Sequence, residues 1–240
     1  MFLKFNRLLI ASITSIFLVI SQGGYLWTVQ ACEVIEVDKA KPIFTKKLTI
    51  HECEAYLDQI PKQYSKIKRK GILGEIVAKD VMENKLRLGG KNLVSISTLF
   101  RNKGCRINRY IRDQADRGLD DIFVVLGADG WADQRYNPIF HESKYDGRCN
   151  LKLRNTTTLC QQLSFQWLDG NLQKTYKRTR RADLCFGGTE VVINSCLDCA
   201  QKFRNDILWL KEKLQEGNFI RTASLLCADG RLSIYNVNGS

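Results

Sequence analysis

The 240-residue chain is poor in proline and histidine, with three of the first and two of the second. So few prolines beside 44% hydrophobic residues exclude a disordered basic tail. Two histidines leave few ligands for zinc, and of the nine cysteines only Cys196 and Cys199 have metal-like spacing, so a zinc module is not expected. No internal repeat or low-complexity linker divides the chain. Acidic residues are also in deficit, 25 against 37 Lys and Arg, which gives +12 at pH 7. What is left is a folded cationic protein large enough for one sizeable core. Its charge favours a polyanionic partner, either nucleic acid or an anionic membrane surface.

The N-terminus bears on compartment. Lys4 and Arg7 precede a run of 13 mostly apolar residues, Leu8 to Ile20, and no charge appears between Arg7 and Glu33. This pattern predicts an export signal within residues 1–31. Ser21-Gln22-Gly23 and Val29-Gln30-Ala31 are the two candidate cleavage regions. A bacterial lipobox ending at Cys32 is one alternative. An uncleaved membrane anchor is another, since adding Tyr25 to Val29 brings the uncharged stretch near bilayer length. Export makes disulfides the expected use of the cysteines, with one of the nine left over, lipidated if it is Cys32, or joined to another chain. Cleavage removes Lys4 and Arg7 and no acid, so +12 becomes +10 and the charge belongs to the mature chain.

The remainder reads as one α/β domain over 61–240 with an N-terminal extension, 32–60. Residues 33 to 50 are expected to be extended. A helix is expected from about Pro61 to a C-cap at Gly89-Gly90, and a shorter one over Val94 to Asn102. Two strands, Leu119 to Leu126 and Ile139 to Tyr145, flank a turn-rich segment around Trp131. Asn155 to Leu168 has a helical pattern, Glu190 to Asn194 reads as a short strand, and Leu197 to Gln215 as a helix. Ile220 to Cys227 and Leu232 to Val237 form a hairpin.

Glu75 is the odd residue of the long helix. Gly71, Ala78 and Met82 lie at i−4, i+3 and i+7, so a carboxylate sits on a small, apolar face where it needs a cation or a metal ion. In the first strand Asp120 shares a face with Ile122, Val124 and Leu126; in the second, Phe140, Glu142 and Lys144 share one. Pairing Asp120 opposite Glu142 puts the turn midpoint at Trp131, inside the turn-rich segment. Asp121 is the rival to Asp120, because a one-residue slip exchanges the faces. His141 falls opposite Glu142 and is read as a packing residue. Carboxylates with a lysine suit phosphodiester hydrolysis, in which a hard divalent cation neutralises the phosphate and lowers the pKa of a water.

Gly71-Ile72-Leu73-Gly74-Glu75, Gly118-Leu119-Asp120, Glu142-Ser143-Lys144 and Gln162-Leu163-Ser164-Phe165-Gln166-Trp167, in that order across roughly residues 65 to 170, resemble the motifs of the PD-(D/E)xK nuclease superfamily, in its restriction-endonuclease-like toxin branch. The resemblance implies an α/β restriction-endonuclease-like core, a central mixed sheet flanked by helices. It implies that Asp120 and Glu142 ligate Mg²⁺ or Mn²⁺, that Glu75 supports the ion, that Lys144 acts on the attacking water and that Gln162 faces the site from the following helix. Ser164 and Trp167 would be structural. The family's toxin domains usually end much larger secreted proteins, whereas this chain carries its own signal and nine cysteines.

Lys174, Lys177, Arg178, Arg180 and Arg181, with Tyr176 interleaved, and the Lys62 to Lys70 stretch are the expected phosphate contacts, without base specificity. The expectation is therefore an exported, metal-dependent endonuclease that acts on nucleic acid, with DNA ahead of RNA, in the role of a toxin or effector paired with an immunity or inhibitor protein. The alternative is a secreted or membrane-anchored polyanion-binding protein that keeps the fold without cutting.

Overall fold

A computed structural model describes residues 32–39, 41–105, 119–156, 160–179 and 190–239. Residues 32–240 form one compact unit. The signal segment 1–31, Gly118, Arg180, Arg181 and Cys185 lie outside the described residues, as do the side chains of Arg178 and Cys196.

The architecture is α/β, a mixed sheet flanked by helices. Strands β1 (Ile35–Val37), β2 (Phe44–Lys47), β3 (Arg87–Leu88), β4 (Lys91–Ser95), β5 (Asp121–Val125), β6 (Ile139–Asp146), β9 (Ile220–Cys227) and β10 (Arg231–Gly239) make one sheet in the order β1-β10-β9-β6-β5-β4-β3, with β2 also on β10. The β6–β9 pair is parallel and the others antiparallel. Residues 32–60, read as an extension, thus supply two strands of the sheet. They also supply helix α1 (Ile50–Asp58), which opens on a reciprocal capping box between Thr49 and Glu52.

Helix α2 (Lys66–Asn84) begins at Ser65, whose hydroxyl accepts the Lys68 N–H at 3.3 Å. Its buried residues Leu73, Val77, Val81 and Met82 pack with Phe123, Val125 and Ile139 on one face of the sheet. Val124, Phe140, Ala223 and Leu225 point to the other face. There they meet Trp167 and Leu168 of α4 (Phe165–Thr179) and Phe203 and Leu210 of α5 (Glu190–Gln215).

Several local expectations are corrected. Gly89-Gly90 is not a helix cap: the helix ends at Lys85, and both glycines, at φ +55° and +76°, form the two-residue turn between Leu88 and Lys91, a conformation that needs positive φ twice. Residues 91–95 are strand, and α3 (Ile96–Asn102) starts at Ile96 after a Ser95 cap. Of the Asn155–Leu168 stretch, only Phe165–Leu168 is helical, as the start of α4; β7 (Asn155–Thr156) pairs with β8 (Cys160–Gln161), and residues 157–159 lie outside the described residues. Glu190–Asn194 is the first part of α5, so its β-branched run yields to the helix it continues.

Three cysteine pairs stand at bonding distance: Cys32–Cys160, Cys105–Cys199 and Cys149–Cys227. Disulfides of this kind belong to an oxidising, exported environment. The Cys32 sulfur is therefore occupied, which removes the lipid-anchor alternative at that residue. Cys199 is likewise committed to Cys105 and not to a metal pair with Cys196. Among the described residues Cys53 is a free thiol. Among the same residues no helix is long and apolar enough to cross a membrane.

Candidate active site

The site is built where two neighbouring strands part. β5 and β6 pair Asp121 with His141, Ile122 with Phe140 and Phe123 with Ile139. Carried one residue further, this register sets Asp120 opposite Glu142, the pairing expected from the pattern. Backbone pairing has stopped by then, because β6 runs on beside β9 while β5 has ended. The Ser143 N–H has no partner on β5 and is taken instead by the Asp120 carboxylate, Ser143 N to Asp120 Oδ2 at 2.6 Å. The two carboxyl groups and Lys144 lie where the strands part.

Glu142 is 1% exposed. Its Oε1 accepts from both the Lys144 ammonium and Gln162 Nε2, the latter at 2.7 Å. Its Oε2 is buried with no hydrogen-bond partner. A buried charged oxygen without a donor is costly, and two donors crowding one oxygen while the other goes unmet mark a position suited to an electrophile. Burial raises the Glu142 pKa, and the charge of Glu75 adds to the rise, while Lys144 opposes it. Burial and the Glu142 charge together push Asp120 well above the ordinary carboxylate range. Carboxyl groups whose ionisation is disfavoured by burial and by neighbouring acidic charge, offset in part by the Lys144 ammonium, form the oxygen-rich donor set that a hard divalent cation takes.

Helix α2 brings Glu75 within electrostatic reach of Glu142. A β-carbon at Gly74 would stand 3.4 Å from the Lys144 carbonyl oxygen, so the helix backbone rests directly on β6 at the Glu142-Ser143-Lys144 run. Gln162 reaches Glu142 from a different place than expected. It lies in the turn between β8 and α4, not on the helix, and is held by Arg154 on two sides. The Gln162 N–H donates to the Arg154 carbonyl and the Arg154 N–H to Gln162 Oε1, each at 3.0 Å. Ser164 and Trp167 are buried; the serine hydroxyl accepts the Trp167 N–H at 3.3 Å at the helix start, and the indole fills the core.

Asp121 and His141 face the other way. Asp121 accepts from Ser95 Oγ at 2.7 Å and lies 3.6 Å from the Lys79 ammonium, under α2. His141 is buried between the hydroxyls of Thr222 (2.8 Å) and Ser224 (3.0 Å), its pKa lowered to about 3 by burial and by Lys144. It is neutral at physiological pH.

Of the basic run, Lys174 and Lys177 are exposed on α4. At the start of α2, Lys62, Lys66 and Lys68 are exposed, and the Lys70 ammonium lies 5.2 Å from the ring centre of Tyr145, the residue after Lys144. One participant carried no sequence signal at all. Glu33 accepts the first N–H of α4, Phe165 N at 2.5 Å, from 132 residues away, and pairs with Arg221 at 2.8 Å.

Compared with known protein families, with curated proteins and with solved structures, the chain matches none.

Proposed function

We propose that the protein is an exported, metal-dependent nuclease with a restriction-endonuclease-like core, hydrolysing phosphodiester bonds with DNA as its substrate. The observation that carries the reading is the buried, unpartnered Glu142 Oε2 beside Asp120, with Lys144 and Gln162 both committed to the other Glu142 oxygen. The resemblance of the four motifs to PD-(D/E)xK nucleases supports it, as does the register that sets Asp120 against Glu142.

Asp120 and Glu142 would hold Mg²⁺ or Mn²⁺, with Glu75 supporting the site. A divalent cation there supplies positive charge against the scissile phosphate and favours ionisation of water. The chain does the rest. Gln162 fixes the Glu142 carboxylate so that one oxygen is presented. Lys144, partly exposed and anchored on Glu142, orients the attacking water and offsets charge developing on the phosphoryl oxygens. Lys174 and Lys177 on α4, and the lysines opening α2, hold the nucleic-acid backbone without reading bases.

The test is incubation of the purified mature protein with plasmid and Mg²⁺, with and without chelator, beside Asp120→Ala and Glu142→Ala. Cleavage that the chelator and both substitutions abolish is expected. Chelator-resistant cleavage, or unaffected variants, sinks the mechanism. Salt-dependent DNA binding with no cutting under any divalent metal would instead establish the binding-only alternative.

A further inference from the structure

The Gln162 turn is an unusual piece of backbone. Cys160 and Leu163 both adopt left-handed conformations, at φ +62° and +66°, although neither is glycine. Such residues persist only where their surroundings over-determine them. Here the surroundings include Cys32, Glu33 and Ile35. Cys32 is bonded to Cys160. The Ile35 N–H donates to Gln161 Oε1 at 3.2 Å, the Glu33 N–H to Gln166 Oε1 at 3.3 Å, and the Phe165 N–H to the Glu33 carboxylate at 2.5 Å. Arg221 holds that carboxylate from the sheet at 2.8 Å. Residues 160–166 are therefore tied down from, or through, the N-terminal segment, and the segment itself is fixed by β1 pairing with β10.

We propose that residues 32–37 are a positioning clamp for Gln162, closed by the Cys32–Cys160 disulfide, so that the candidate site is assembled only in the oxidised chain. The role rests on the nuclease reading above only insofar as Gln162 serves cleavage; the clamp itself concerns the turn. Opening it is thiol–disulfide exchange with a dithiol reductant. Two electrons and two protons pass to the protein sulfurs, giving two thiols, and the reductant becomes a cyclic disulfide. Without the cross-link the left-handed turn relaxes about its Arg154 contacts, Gln162 leaves Glu142 Oε1, and that oxygen keeps the Lys144 ammonium without the amide. Cys32, Glu33 and Cys160 touch no reacting atom and act through Gln162. An exported protein that meets a reducing compartment would thus lose its site while the sheet persists.

The experiment compares the oxidised mature protein with Cys32→Ser/Cys160→Ser, with Glu33→Gln, with Gln162→Ala and with the combination of the last and the double serine variant. Hydrogen exchange followed by mass spectrometry reads the turn, and Mg²⁺-dependent plasmid cleavage reads the site. In the double serine variant and in Glu33→Gln, exchange of peptides covering 160–166 should rise at least tenfold while β5 and β6 stay protected. The double serine variant should lose at least tenfold in kcat with KM for DNA unchanged, and adding it to Gln162→Ala should cost nothing more. Glu33→Gln keeps the proposal testable if the serine variant fails to fold, since it leaves every cysteine in place. Unchanged exchange in 160–166 overturns the clamp, and so does a cysteine lesion whose cost multiplies with that of Gln162→Ala. Absence of cleavage by the parent protein would sink the nuclease reading alone, because the exchange measurement still decides whether the turn is held.

Discussion

Asp120 and Ser143 are joined side chain to backbone: the carboxylate takes the N–H that the end of β5 leaves without a strand partner. One residue therefore satisfies the backbone where β5 ends and also lies beside Glu142 as a second buried carboxyl group. The two duties conflict whenever no cation is present, and that conflict is measurable.

Asp120→Asn keeps an oxygen for the Ser143 N–H but removes the charge. Since burial and Glu142 raise the Asp120 pKa, the folded state binds a proton more readily than the unfolded one, where the ordinary value is 3.8. Stability of the parent therefore rises as pH falls through the raised value toward 3.8, and Asn removes that dependence. At pH 7 without metal the variant should be more stable by about 1 kcal/mol in urea unfolding. With Mg²⁺ at about a hundredfold excess over its Kd the parent alone gains about 2.7 kcal/mol, and the order reverses.

Lys144→Met should lower kcat by roughly 10²–10³-fold, in the range for loss of one charge-stabilising donor, with little change in DNA affinity. Gln162→Ala should cost less, about tenfold, because it loosens Glu142 without removing a charge. Single-turnover cleavage beside filter binding separates the two effects.

His141 should give no inflection in the pH–rate profile near its ordinary value, because burial keeps it neutral to about pH 3. Its signature is in stability. A histidine with a lowered pKa takes its proton preferentially in the unfolded chain, so the stability it contributes is full above about pH 6.5 and is lost as pH falls toward about 3, by about 1.4 kcal/mol per unit. His141→Ala also strands the Thr222 and Ser224 hydroxyls, which should cost about 2–3 kcal/mol in urea unfolding near neutral pH.

Lys174→Ala/Lys177→Ala should weaken DNA binding uniformly across sequences. The slope of log affinity against log salt should fall by about 0.9 for each phosphate that the variant no longer neutralises. A titration of binding from low to moderate salt checks it.

Much of this site was legible without coordinates because a strand alternates its side chains. Given two strands and one turn-rich connection, the faces of Asp120, Asp121, His141, Glu142 and Lys144 and their register follow from a period of two. The helical period of about 3.6 set Glu75 on one face with Gly71, Ala78 and Met82; Ala78 and Met82 are buried there, whereas Gly71, a turn nearer the helix start, is exposed. Elements set by distant partners were not legible. The Gln162 turn takes left-handed backbone at Cys160 and Leu163 because Cys32 and Glu33 hold it from 128 and 132 residues away. No local propensity encodes that.

The sequence by itself determined the cationic, disulfide-bearing α/β character of the chain and the set of carboxylates with a lysine, since charge, cysteine count and strand periodicity are local properties. Only the tertiary structure decided that residues 35–37 and 44–47 belong to the sheet, which cysteines pair, and that Gln162 meets Glu142 from a turn. Each of these depends on contacts between segments far apart in the chain, whose cost in chain entropy is met by the packed whole and not by any one segment.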